Sequence, residues 1–126
     1  MLALFVLVLG ASTISIPVYK LAGWFEYQRH ERLLRDILEL KTQLNLYMRI
    51  AGTYPTTQQG LQALVGRPKI DPMPSKWQPL LNKLPKDPWQ NNYVYRSPGI
   101  KHPESYDLFS AGPDRIPDTI DDDWGD

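Results

Sequence analysis

The first 19 residues, MLALFVLVLGASTISIPVY, carry no charged side chain. That length sits at the lower edge for a membrane-spanning helix. Pro17 lacks an N–H and is expected to loosen such a helix near residues 13–17. A cleaved signal peptide is the first rival. It would need a basic segment before the apolar core, which these residues do not show, and Ala11-Ser12-Thr13 makes only a weak small-residue cleavage site. A buried soluble helix is the second rival. From Leu21 to about Ala51 the pattern becomes amphipathic. Leu33, Leu34, Ile37, Leu38, Leu40, Leu44, Tyr47, Met48 and Ile50 recur at three- and four-residue spacing, with Arg32, Arg35, Asp36, Glu39, Lys41, Gln43 and Asn45 between them. Neither Pro nor Gly interrupts residues 24–51, and Gly52 supplies a left-handed stop. Read as one helix, the two segments span about 50 residues and roughly 75 Å. The expected division is an apolar helical segment over 1–19, its amphipathic continuation over 20–51, and a globular head over 52–126.

The head begins with Tyr54-Pro55-Thr56-Thr57-Gln58-Gln59. Thr56 and Gln59 have the spacing of a capping box, and Leu61, Leu64 and Val65 give a short helix one apolar face. Gly66 and Pro68 end it. Residues 66–88 form a Pro-rich connection in which Trp77, Leu80, Leu81 and Leu84 are expected to pin the chain to the head. Asn92–Arg96 and Ser105–Ser110 alternate like strands, each followed by a turn signal, Ser97-Pro98-Gly99 and Gly112-Pro113-Asp114. A third strand, if present, lies near the end. A long helix carrying two or three short antiparallel strands makes the fold class α+β.

Composition narrows the chemistry. Lys plus Arg and Asp plus Glu number 14 each, so zero formal net charge argues against a nucleic-acid partner. The charge is unevenly placed: Lys20–Arg49 is rich in basic residues and the last thirteen residues are acidic. Lys20, His30 and the basic flank of the helix read either as phospholipid-headgroup contacts or as a solvated face. No cysteine is present, which excludes disulfides, thiol catalysis and Cys-based zinc sites. His30 and His102 fall in different elements, and no nucleophile triad, phosphate loop or HExxH run occurs. The expectation is that the protein is not an enzyme.

The closing stretch, SAGPDRIPDTIDDDWGD, is the one place where side chains gather with ligand chemistry. Hard cations take six to eight oxygens from carboxylates and turned backbone carbonyls. A loop closing between Asp114 and Asp121 would bring Asp114, Asp121 and Asp122 around one ion. It is not an EF-hand, because the D-x-[DN]-x-[DN]-G spacing is absent. Spacing alone leaves a calcium loop and a solvated tail both open.

Four motifs then point to a family. Tyr54–Val65 (YPTTQQGLQALV), Leu84–Trp89 (LPKDPW), Asn92–Gly99 (NYVYRSPG) and Tyr106–Asp114 (YDLFSAGPD), followed by Asp121-Asp122, resemble the major pseudopilin of the type II secretion system, the G subunit. The resemblance implies a type IV pilin-like fold: a long N-terminal helix and a small C-terminal head of short helices with a 2-3-stranded antiparallel sheet. It implies a single-pass protein of the bacterial inner membrane with its head in the periplasm. It also implies assembly into a helical homo-oligomer, the pseudopilus, with other pseudopilins and the inner-membrane secretion platform as partners, to help drive folded exoproteins through the outer membrane. It further implies a calcium ion (Ca2+) held by the side chains of Asp114, Asp121 and Asp122, with backbone carbonyls of Ser110 and Ile116 as additional ligands. Two rivals remain: a type IV pilin or minor pseudopilin, and a membrane-anchored calcium-binding module that does not polymerise. Many pilin heads carry a Cys pair near the end, which this chain lacks. The family's basic leader and its Gly-Phe-Thr-Leu-Ile-Glu junction have no counterpart in these residues; counting back from Gly10, Met1 falls near the place of that Glu. The expectation is either a start assigned too late or a divergent paralogue whose processing and assembly differ. The family often has Gly where Arg115 stands, and less acidic residues at Asp118 and Asp123. Positive φ at 115 would strain an Arg by about 1 kcal/mol or more. Asp118 is expected to be either an added ligand or extra charge.

Overall fold

The computed structural model describes residues 4–9 and 12–126. The chain divides into two compact units, Met1–Arg32 and Leu33–Asp126. In the first unit β1 (Leu4–Leu9) pairs antiparallel with β2 (Ser12–Pro17), in a register running from Leu4 opposite Pro17 to Leu9 opposite Ser12. The helix α1 starts only at Val18 and ends at Ala51, 34 residues in all. This corrects the expectation of a helix over 1–19; residues 1–3, 10 and 11 of that segment lie outside the described ones. The physical reason is local. Val6, Val8, Thr13, Ile14 and Ile16 are β-branched and favour extended backbone, and Pro17 cannot sit inside a helix. Among the described residues no helix is long and apolar enough to cross a membrane.

Within the second unit, α1 presents Leu33, Ile37, Leu40, Leu44 and Tyr47, all buried, at alternating steps of four and three. Each fully buried Leu or Ile contributes about 1.5–3 kcal/mol relative to exposure. Leu38 and Met48 belong to the apolar pattern but face away from that stripe and stay exposed. Gly52, at φ 84, stops the helix, and its N–H donates to the Met48 carbonyl at 2.9 Å. The stripe packs with Leu61, Leu64, Tyr93, Tyr95 and Leu108 into one core.

The Thr56–Gln59 capping box forms as read: Gln59 N–H donates to Thr56 Oγ1 at 3.1 Å, and Thr56 N–H to Gln59 Oε1 at 3.0 Å. It closes a turn, and the short helix that follows is of the 3-10 kind, over Leu61–Leu64, with Leu61 and Leu64 buried. The Pro-rich connection is pinned as expected. Trp77 Nε1–H donates to the Ala63 carbonyl at 2.8 Å, and the N–H groups of Leu80 and Leu81 both reach the Leu64 carbonyl. Gln59 Nε2 holds the carbonyls of Ile70 and Pro72, each at 2.9 Å. The sheet of the head is β3 (Val94–Arg96) against β4 (Asp107–Phe109), antiparallel, with Tyr95 opposite Leu108. The third strand reduces to a single bridge, Ser110 with Asp123.

Candidate functional site

That bridge closes the acidic stretch into a loop. Ser110 N–H donates to the Asp123 carbonyl and Asp123 N–H to the Ser110 carbonyl, both at 2.9 Å. β4 delivers the chain into the core through Phe109, which is fully buried, and Trp124 stacks on the Phe109 ring at 4.3 Å on the way out. The loop therefore leaves and re-enters the head at fixed points. It turns first at Gly112, where φ is 69 and a Cβ would collide with the Asp121 carbonyl oxygen. Only glycine permits that approach.

Inside the loop, Asp114 and Asp121 are brought together. Asp114 N–H donates to Asp121 Oδ2 at 3.0 Å. Ile116 N–H donates to Asp114 Oδ1 at 2.9 Å. Thr119 Oγ1 lies 2.8 Å from Asp114 Oδ2, 2.7 Å from Asp121 Oδ1 and 3.0 Å from the Ile116 carbonyl. A hydroxyl has one proton, so one of these three acceptors receives it and the other two face an oxygen lone pair. The Thr119 hydrogen bond, with that from Asp114 N–H, holds the Asp121 carboxyl below the usual carboxylate range. Asp122 is adjacent but differently engaged: its Oδ2 accepts from Asp118 N–H at 2.7 Å, while its Oδ1 is buried with no hydrogen-bond partner. Among the described residues no three acidic or His side chains already converge as a ready-made ion cage. The donor set nevertheless fits a hard cation. It is all oxygen, it holds more acceptors than protons around Thr119, and it leaves one buried carboxylate oxygen orphaned.

Of the two expected carbonyl ligands, Ser110 already accepts Asp123 N–H, and Ile116 is one of the three oxygens that compete for the Thr119 proton. Asp118 has a different partner from the expected ion. Its carboxylate takes a two-pronged contact from Arg96, at 2.8 and 2.7 Å, which also holds it below its ordinary range. Arg115 adopts φ 64 and Asp118 φ 68, so both stand in the left-handed region.

Sequence reasoning passed over two buried carboxylates. Asp87 is fully buried and accepts from Trp89 N–H, Asn91 N–H and Ser110 Oγ–H. Asp107 accepts from the N–H groups of Ile100, Lys101 and His102 and lies 3.1 Å from His102 Nδ1. Both lie inside motifs quoted above. The available signal was an Asp set among apolar residues, in LPKDPW and YDLF, where a carboxylate needs donors to be buried.

A long helix carrying a small antiparallel head with an acidic closing loop defines a pilin-like structural subunit, and the comparisons with known proteins agree. A family model described as Type II secretion system (T2SS), protein G, matches residues 25–124. The type II secretion system core protein G of Dickeya chrysanthemi is 40% identical over 119 residues, covering 93% of this chain and 76% of that protein. The core protein G of Escherichia coli (strain K12) is 38% identical over 124 residues, covering 95% and 84%. The crystal structure of the major pseudopilin from the type 2 secretion system of enterohaemorrhagic Escherichia coli superposes with a TM-score of 0.73 at 33% identity, covering 92% of this chain and 94% of that one. This chain belongs to the type II secretion system protein G family. It is a structural subunit of the pseudopilus and not an enzyme, working in the cell envelope with other components of that system.

Proposed function

We propose that this chain polymerises into the shaft of the pseudopilus and that a calcium ion braces its head. In this reading the chain is held at the inner membrane, with the head in the periplasm, until subunits assemble with one another on the secretion platform. Growth of that filament helps drive folded exoproteins through the outer membrane. The support for assembly is family membership and the likeness to a solved major pseudopilin.

The calcium part rests on the loop closed by Ser110 and Asp123. Its observation is the surplus of acceptors over protons around Thr119 together with the orphaned Asp122 Oδ1. Asp114, Asp121 and Asp122 would hold the ion, with the carbonyls of Ser110 and Ile116 offering their remaining lone pairs. When bound, calcium supplies two positive charges to crowded carboxylates. The chain's own part is to keep those oxygens in one loop by Gly112, Thr119 and the Ser110 bridge. A ligand that binds only the folded state raises stability with its concentration. Thermal melts of the full chain should therefore fall by several degrees when a chelator replaces calcium. The Asp121→Ala variant should melt low in both conditions. Melting temperatures that ignore calcium, chelator and Asp121→Ala alike would remove the ion from this reading.

A further inference from the structure

Asp87 has no place in the cation reading, yet it is a fully buried carboxylate 23 residues before the start of the acidic loop. Its Oδ1 accepts from Trp89 N–H at 2.9 Å and Asn91 N–H at 2.8 Å, which rigidifies its own turn. Its Oδ2 accepts the Ser110 hydroxyl proton at 2.7 Å. With its proton committed to Asp87, Ser110 Oγ can only accept, and it accepts Gly112 N–H at 3.1 Å. Gly112 in turn abuts the Asp121 carbonyl oxygen, with no room for a Cβ. The backbone of the same Ser110 makes both bonds to Asp123, next to Asp122. One residue thus registers both ends of the loop, and one buried carboxylate sets the direction of its hydroxyl.

We propose that Asp87, acting through Ser110, is the positioning residue of the acidic loop: it preorganises Asp121 and Asp122 for the cation without touching it. The inference rests on the calcium reading above. It also gives Ser110 a role that its expected carbonyl ligation did not include. An acceptor at Asp87 Oδ2 is essential to the arrangement. An amide placed there would turn a donor toward Ser110 Oγ, reverse the hydroxyl and compete with Gly112 N–H. Partners that orient metal ligands typically cost ten- to a hundredfold in metal affinity when removed.

The test is calorimetric titration of the full chain in detergent with calcium chloride, at a temperature where circular dichroism reports each variant folded. Asp87→Asn and Ser110→Ala should weaken calcium binding by about tenfold or more. Ser110→Thr, which keeps the hydroxyl, should bind more tightly than Ser110→Ala. Leu64→Val, a core change away from the loop, should lower the melting temperature and leave the calcium affinity unchanged. Wild type that takes up no calcium overturns the cation reading and this inference together. Wild type that binds, with Asp87→Asn and Ser110→Ala binding equally well, overturns the inference alone. If Ser110→Ala does not fold, the near-isosteric Asp87→Asn decides.

Discussion

At Arg115 the backbone adopts φ 64, a conformation that an L residue with a Cβ pays to occupy. The turn demands it, because Arg115 N–H donates to the Gly112 carbonyl at 3.2 Å and the next N–H caps Asp114. The cost is about 1 kcal/mol. Removing the side chain also removes a positive charge from an acidic loop, so the informative comparison is between two neutral replacements. Arg115→Gly should be more stable than Arg115→Ala by about 1 kcal/mol in chemical denaturation. Equal midpoints would show that no left-handed strain is stored there. Asp118 shares the left-handed conformation but tolerates it better, since a short polar side chain bonds locally, and the Arg96 fork fastens it to β3.

At the scale of elements, the connection between β3 and β4 is organised by one carboxylate. Burial raises the Asp107 carboxyl, but the N–H groups of Lys101 and Ile100, with the His102 ring and N–H, outweigh it and leave the group below its ordinary range. A carboxyl lower in the folded than in the unfolded state binds fewer protons when folded. Its contribution is therefore complete above the unfolded value of about 4 and is lost as pH falls through the folded value. Urea midpoints of the wild type should drop as pH is lowered from about 5 to 2. Asp107→Asn should start lower at neutral pH and lose less over the same range. Parallel curves for the two proteins would exclude Asp107 as a source of acid sensitivity. Gly99 belongs to the same device, because a Cβ there would run into the Asp107 carboxylate and the His102 carbonyl. The helix α1 is a simpler element: its stripe from Leu33 to Tyr47 follows from side-chain spacing alone, while Leu38 is left outside it at 67% exposure.

At the scale of the whole molecule, the proposed function calls for a head that is held in shape at its C-terminal end. The loop carries six Asp residues and one Arg between 114 and 126, and its own apolar residues Ile116 and Ile120 are exposed. Beyond Trp124 on Phe109, packing supplies little to keep it closed, so the Ser110–Asp123 bridge, the Arg96 fork and the proposed ion share that work. A subunit whose head loosens should assemble poorly. Negative-stain images of envelope fractions from cells overproducing the chain should show filaments in calcium and few in chelator. Absence of filaments in both would favour the membrane-anchored module that does not polymerise.

Local rules read directly from the residues determined the amphipathic half of the helix, its stop at Gly52, the capping box, the pinned Pro-rich connection and the two short strands. All but the pinned connection depend on neighbours within a few positions; that connection is marked by its apolar Trp77, Leu80, Leu81 and Leu84, although Trp77 reaches Ala63, 14 positions back. The ordered motifs also carried the family. What only the tertiary structure decided depends on distant partners. Leu4–Leu9 pairs with Ser12–Pro17, where apolar content alone could not tell a strand from a helix. Asp118 goes to Arg96, 22 positions away, and Asp87 to Ser110, 23 positions away. Spacing within the acidic stretch cannot report either partner, because a carboxylate takes whichever donor the fold brings to it.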